Sequence, residues 1–392
     1  MKLLFIGTYP PTRCGIATFT QHLRQGILTS HGLRDANLPV TAILPNGEDI
    51  ADTPALADKF HHRGAIRKHV VEDYLSLAEK INASDVDVIS LQHEFGIFGG
   101  EAGEYIVLFL EAVKKPVVTT FHTVFETPVE PYKHVQEEII KRSDRIVVMN
   151  RLAIDYLTRH FPVTPDKIFY VPHGAPTPPD RPRDEIRRMY DMDKRKVLLT
   201  FGLLSPGKGI EMLLQVLPEV VKEVPDLLYV IAGQTHPEVK KKFGEQYREQ
   251  LQQWVKTNHL ENNVRFIDRY LSEEELSQLL VSCDLYVTPY PGMQQITSGT
   301  LAYAVGLGRP VLTTPYAHAR DLLQPFPELL ISYDQPNKWR EQLIRLLTEN
   351  GLLAKYEQSF ARLGAEMSWP AVGQKFYRLC QDLIPSEVMS RA

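Results

Sequence analysis

The feature that most constrains this chain is a rhythm. Short apolar runs alternate with longer amphipathic stretches, and the pattern runs through twice. The first pass holds LLFIG (3–7), VTAIL (40–44), DVISLQ (87–92), PVVTTF (116–121), RIVVM (145–149) and IFYVP (168–172). Stretches such as FTQHLRQGILTS and VEDYLSLAEKI lie between them. Runs that are apolar on both faces read as strands buried on both sides. Strands of that kind alternating with helices form a parallel sheet covered by helices. GAPTPPDRPR (174–183) then interrupts the rhythm, and its four prolines in ten residues make a stiff, extended linker. The second pass holds VLLTFG (197–202), LLYVIAG (227–233), NVRFID (263–268), DLYVTP (284–289) and PVLTT (310–314). Its helical stretches include EMLLQVLPEVVKEV and EEELSQLLVSC.

The reading is therefore α/β, with two doubly wound Rossmann-like domains, 1–175 and 184–368. A length of 392 residues suits two domains. WPAVGQKFYRLCQDLI (369–384) has the spacing of a final amphipathic helix. Two open sheets joined by a linker are expected to face each other across a cleft. Ligands of such sheets bind beyond the carboxyl ends of the strands.

The totals narrow the function classes. A formal net charge of −4 gives no overall field for nucleic acid. The three cysteines, Cys14, Cys283 and Cys380, are far apart, which indicates neither a disulfide framework nor a zinc site. MKLLFIGTYPP is too short in its apolar run for a signal peptide, and no stretch approaches the ~18 apolar residues of a membrane span. A cytoplasmic protein is expected, with no transmembrane segment and with room for peripheral membrane contact.

Five strand-end motifs carry the chemistry. In IGTYPPTRCGIATFT, Gly15 precedes a helix expected to start near Ala17 or Thr18, where backbone N–H groups favour an anion or sugar hydroxyls. Arg13 in the same loop either reaches a ligand or is a surface arginine. In SLQHEFGIFGG, His93 and Glu94 follow a strand directly, as a site-lining pair or as caps of the next loop. In TTFHTVFETP, His122 ends a strand, where an imidazole can hydrogen-bond a hydroxyl or a phosphate. His173, in VPHG beside the linker, gives a similar signal and is counted with the ligand-binding candidates.

In TFGLLSPGKGIEML, Lys208 and Gly209 open a helix, and a lysine there adds its charge to the positive end of the dipole. The GxxxxGK[ST] frame of a P-loop is missing. The fifth motif is TPYPGMQQITSGTLAYAVGLGRPV (288–311), which contains no acid. Gln295, Thr297, Ser298, Gly299 and Thr300 surround a helix start there, with Ser298 as the natural N-cap. Small residues in this helix also suit close packing on the sheet. Asp85 and Asp87 match a DxD pattern but begin a strand, at the wrong edge for a ligand.

Together, YPPTRCGIATF, FHT, SDRIVVMN, VPHG, GLLSPGKG, AGQTHP, VRFIDRYLSEEEL, CDLYVTPY and the helix before GRPV resemble the retaining family 4 glycosyltransferases of GT-B fold. The likeness covers essentially the whole chain. It implies a nucleotide-sugar site in the second domain, an acceptor site on the first, and a last helix crossing back to the first. It also implies roles: Gly15 beside the donor diphosphate and acceptor, His122 on the donor sugar, and Lys208 on the diphosphate. Arg269 and Tyr270 would lie by the base, largely through backbone.

Relatives usually carry two glutamates eight positions apart, and here Gln295 and Tyr303 stand in their places. An amide can still fix a sugar hydroxyl, and a phenol can offer one hydroxyl to a ribose. Leu203 stands where relatives place an arginine for the diphosphate. Arg13 is the candidate replacement, an idea refuted if Arg13→Ala leaves donor affinity unchanged.

The implied activity is hexosyl transfer, glucose or mannose, from a nucleotide-diphosphate sugar to an acceptor hydroxyl. Retention of configuration is expected, without metal or other cofactor. Front-face attack would pass the acceptor's proton to the leaving phosphate, with Glu94 as an acceptor-side base or orienter. A disaccharide phosphorylase, a non-catalytic nucleotide-sugar or glycan-binding protein, and an epimerase of this fold are the alternatives.

Overall fold

The computed structural model describes residues 1–12, 14–44 and 65–384. They divide into two compact units, Met1–Gly174 together with the segment from Trp369 onward, and Ala175–Ser368.

The first unit is built on seven strands: β1 (Leu3–Gly7), β2 (Val40–Leu44), β3 (Ala65–Arg67), β4 (Val88–His93), β5 (Val117–Phe121), β6 (Arg145–Val148) and β7 (Ile168–Tyr170). Their order is β3-β2-β1-β4-β5-β6-β7, and every pairing is parallel. The order reverses between β1 and β4, so the ligand-accepting edge lies beyond Gly7 and His93. Helices α1 (Gly15–His31), α2 (Val71–Asn82), α3 (Tyr105–Ala112), α4 (Tyr132–Arg142) and α5 (Leu152–His160) connect the strands.

The second unit has β8 (Lys196–Phe201), β9 (Leu227–Ala232), β10 (Val264–Ile267), β11 (Leu285–Thr288) and β12 (Val311–Thr313), ordered β10-β9-β8-β11-β12 and all parallel. Here the reversal falls between β8 and β11. The helices are α6 (Arg183–Met189), α7 (Ile210–Glu223), α8 (Pro237–Phe243), α9 (Gln246–Thr257), α10 (Glu273–Ser282), α11 (Gly299–Gly306), α12 (Ala317–Leu322), α13 (Pro336–Thr348) and α14 (Leu352–Gly364). The last helix, α15 (Trp369–Gln381), belongs to the first unit.

β1, β2, β4, β5, β9 and β11 are buried along their whole length, as the apolar runs require. α15 packs along α1 at two glycines. A Cβ on Gly26 would stand 2.2 Å from the Trp369 carbonyl oxygen, and one on Gly373 would stand 2.6 Å from the Gly26 carbonyl carbon. The two backbones therefore touch where no side chain intervenes.

Two local expectations need correction. β3 is absent from the apolar pattern, because only one of its three residues is fully buried. Pairing with β2, not periodicity, makes it a strand. α1 starts at Gly15, earlier than expected, because the Cys14 thiol caps it by accepting from the Ala17 amide at 3.4 Å. A thiol is not among the usual cap groups. Asp85 and Asp87 sit at the amino edge and hold the chain start. Lys2 donates its backbone amide to Asp87 at 2.7 Å and pairs its ammonium with Asp85.

Candidate active site

In the first unit, the ends of β4 and β5 bring two predicted groups, Glu94 and His122, to the carboxyl edge. Gln92 donates to Ser90 Oγ at 2.9 Å, which turns its carbonyl toward His122 Nε2, 3.0 Å away. With a carbonyl as partner, Nε2 carries the proton and Nδ1 is left as the acceptor. Burial, with His173 and His93 nearby, pushes the His122 imidazolium down to about 3, so the ring is neutral. Phe19 of α1 meets His122 edge-on at 4.7 Å and His173 at 5.1 Å. His173 donates Nδ1–H to the Gly174 carbonyl at 2.7 Å, and burial lowers it to about 4.

Glu94 is half-buried and ties two loops together. One oxygen accepts from the Phe95 amide at 3.0 Å and the other from Thr123 Oγ1 at 2.6 Å. Burial raises its carboxyl above the usual range despite these two bonds. Its neighbour His93 does not line the edge. It is fully buried among Phe95, Phe98 and Phe121, neither ring nitrogen has a hydrogen-bond partner, and burial lowers it to about 3. Gly15 is exposed in the first turn of α1, and a Cβ there would meet nothing within 4 Å. Space, therefore, does not demand glycine at that position. Arg13 lies outside the described residues.

In the second unit, the reversal between β8 and β11 gathers the lysine and the α11 motif. Lys208 Nζ donates to Tyr290 Oη at 2.8 Å, and Tyr290 Oη lies 3.1 Å from Thr300 Oγ1. Ser298 Oγ is 3.3 Å from Thr300 Oγ1 and caps α11 by accepting from the Leu301 amide at 3.4 Å. The Ser298 amide donates to His318 Nδ1 at 2.7 Å. Gly209, with φ of 60°, makes the turn into α7. A Cβ there would meet the Pro289 carbonyl oxygen at 2.0 Å, so only glycine lets this turn lie against the end of β11. The result is an ammonium, three hydroxyls and the positive end of α11 in one place. The amides of Gly299 and Thr300 stand in the first turn of α11, where no carbonyl one turn back can take them.

The other predicted residues are placed differently. Gln295 is exposed and turns its amide onto the Thr297 carbonyl at 3.1 Å, while Thr297 is half-buried. Tyr303 is buried on α11 at 8% exposure. Arg269 pairs with Glu275 at 2.6 Å, in the capping box of α10, and Tyr270 beside it is 56% exposed. Sequence reasoning passed over Tyr290, His318 and Gln92. Tyr290 stands two residues beyond the end of β11, which was the one available signal. His318 and Gln92 act through contacts that no local spacing reveals.

Two family models match, "Glycosyltransferase Family 4" over residues 28–177 and "Glycosyl transferases group 1" over 195–349. Between them they take in most of the chain. The protein belongs to the family 4 glycosyltransferases. Two curated relatives are distant in sequence. "Spore coat protein SA" of Bacillus subtilis is 24% identical over 50% of this chain and 51% of its own. The "Phosphatidyl-myo-inositol mannosyltransferase" of Mycolicibacterium smegmatis is 24% identical over 76% of this chain and 72% of its own. This chain thus spans about half the length of the first of these two relatives. Among solved structures, HepE of Anabaena in complex with UDP superposes with a TM-score of 0.74 at 15% identity, covering 97% of this chain and 100% of that one. That likeness shows the fold, GT-B, with two parallel sheets clothed by helices.

Proposed function

We propose that this protein is a retaining hexosyltransferase that needs no metal. It would move a glucosyl or mannosyl group from a nucleotide-diphosphate sugar to an acceptor hydroxyl. The observation that carries the reading is the Lys208–Tyr290–Thr300 assembly at the α11 start, a cationic, hydroxyl-lined cluster at the strand-order reversal, which suits an anion. Negative charge grows on the leaving diphosphate as the glycosyl bond breaks, and fixed positive groups lower that barrier. Lys208 and the first amides of α11 would supply them. Gln295, Thr297 and Tyr303 would serve the sugar and ribose, and Arg269 and Tyr270 the base.

The bond from the anomeric carbon to the phosphate oxygen breaks as the bond to the acceptor oxygen forms. The acceptor's proton passes to the departing phosphate on the same face, which preserves configuration. In the first unit, neutral His122 would accept a hydrogen bond from a sugar hydroxyl at Nδ1, without taking up its proton. Glu94, with both oxygens already engaged, orients better than it abstracts. HepE has also been solved with UDP-glucose, and the smegmatis relative is named a mannosyltransferase, so UDP-glucose and GDP-mannose are the first donors to try.

The test is product stereochemistry. Incubated with these donors, a panel of hydroxyl acceptors and excess EDTA, the enzyme should form an α-glycoside, read by the one-bond C1–H1 coupling, which separates the anomers of glucose and mannose alike. Inverted product, or turnover abolished by EDTA and restored by metal, would overturn the reading.

A further inference from the structure

The loops that carry Glu94 and Thr123 continue outward into a cluster of aromatic rings. Phe125 stacks on Phe95 at 5.6 Å and 22°, and Tyr132 stands edge-on to Phe95 at 5.0 Å and to Phe125 at 5.5 Å. Phe95 is buried, and its underside rests edge-on against His93 at 4.9 Å. His93 in turn stacks near Phe98 and meets Phe121 of the sheet. A column of rings thus runs from β5 to the surface. It ends in Tyr132, 37% exposed, and beside it lies Val129, 60% exposed. The loop is pinned on both sides: Thr123 donates to Glu94, and His160 Nε2 lies 2.9 Å from the Glu126 carbonyl oxygen. Exposed Tyr132 and half-buried Phe125 are therefore held in place by the same loops that carry Glu94 and Thr123.

We propose that Phe125, Tyr132 and Val129 form the acceptor subsite, and that it takes a neutral pyranose ring. This rests on the transferase reading above. An aromatic face suits the C–H face of a sugar, and flanking carboxylates suit its hydroxyls. The rim supplies both: Glu94 lies at the inner end, and Glu126 and Glu130 flank the loop. Lys133 follows Tyr132 in the chain, so the segment carries two acids, Glu126 and Glu130, to one lysine, a balance that disfavours a strongly anionic partner. Rigid rings also lose little freedom on binding.

Saturation-transfer NMR on the full chain tests this with methyl α-D-glucopyranoside, methyl α-D-mannopyranoside and octyl β-D-glucopyranoside. Saturation of protein aromatic protons should reach the sugar-ring C–H protons. Tyr132→Ala and Phe125→Ala should weaken binding about tenfold, the loss expected for one aromatic stacking partner. Tyr132→Phe should keep the signal, and Leu75→Ala, at an exposed apolar position on α2, should not alter it. Melting curves on each variant separate loss of the subsite from loss of fold. No ring saturation with any glycoside, or equal signal in Tyr132→Ala, overturns the proposal. Saturation confined to the octyl tail also overturns it, in favour of an apolar acceptor. If sugar-ring saturation persists in a chain that binds no sugar nucleotide, the subsite stands and the transferase reading fails.

Discussion

At the scale of single residues, the histidines are the most telling groups. His93, His122 and His173 are buried and neutral, with values near 3, 3 and 4 against 6.5 for the free side chain. Each folded value lies below the unfolded one, so the unfolded chain binds more protons between them. Their stabilising contribution is complete above pH 6.5 and is lost as pH falls toward the folded values. Glu94, raised by burial, works in the opposite sense as its carboxyl protonates. Each buried histidine should remove about 1–2 kcal/mol of stability between pH 7 and pH 5. His93→Phe isolates one contribution, because neither ring nitrogen has a partner to lose. Urea melts of this variant should match wild type within ~1.5 kcal/mol at pH 7 and fall less steeply toward pH 5. An unchanged pH slope would show that His93 is not the buried neutral group described. His122 and Lys208 were legible because each ends or opens an element beside a recognisable motif. Tyr290 and His318 were not, since their partners lie 82 and 20 residues away in sequence.

At the scale of elements, all strands but β3 were legible to within a residue or two, because parallel strands buried on both faces are apolar throughout. β3 escaped because three residues cannot show a period. The start of α1 escaped because a thiol caps it. The packing of α15 on α1 was not legible in any spacing. Gly26 and Gly373 read as ordinary helix glycines until the two backbones are seen in contact. Gly373→Ala should therefore destabilise the first unit by roughly 1–3 kcal/mol through overpacking, although alanine is the better helix former. Urea denaturation measures it. A variant as stable as wild type, or more so, would contradict the close approach.

At the scale of the whole molecule, two sheets whose strand orders reverse were read from the repeated rhythm, and the family assignment agrees with them. The acid-free stretch at 288–311 gained meaning only with the fold. It carries Tyr290, Ser298 and Thr300 to Lys208, beyond the carboxyl ends of the neighbouring strands β8 and β11. The central claim is that this assembly holds the diphosphate of a sugar nucleotide. A ligand bound only by the folded chain stabilises it by about 2.7 kcal/mol at a hundred times its Kd, or several degrees in Tm. The decisive measurement is Tm of wild type and Lys208→Ala with UDP-glucose, GDP-mannose and ADP-glucose. At least one should raise the wild-type Tm by several degrees, and Lys208→Ala should lose most of that rise. No rise with any of the three, or an equal rise in Lys208→Ala, would contradict the claim.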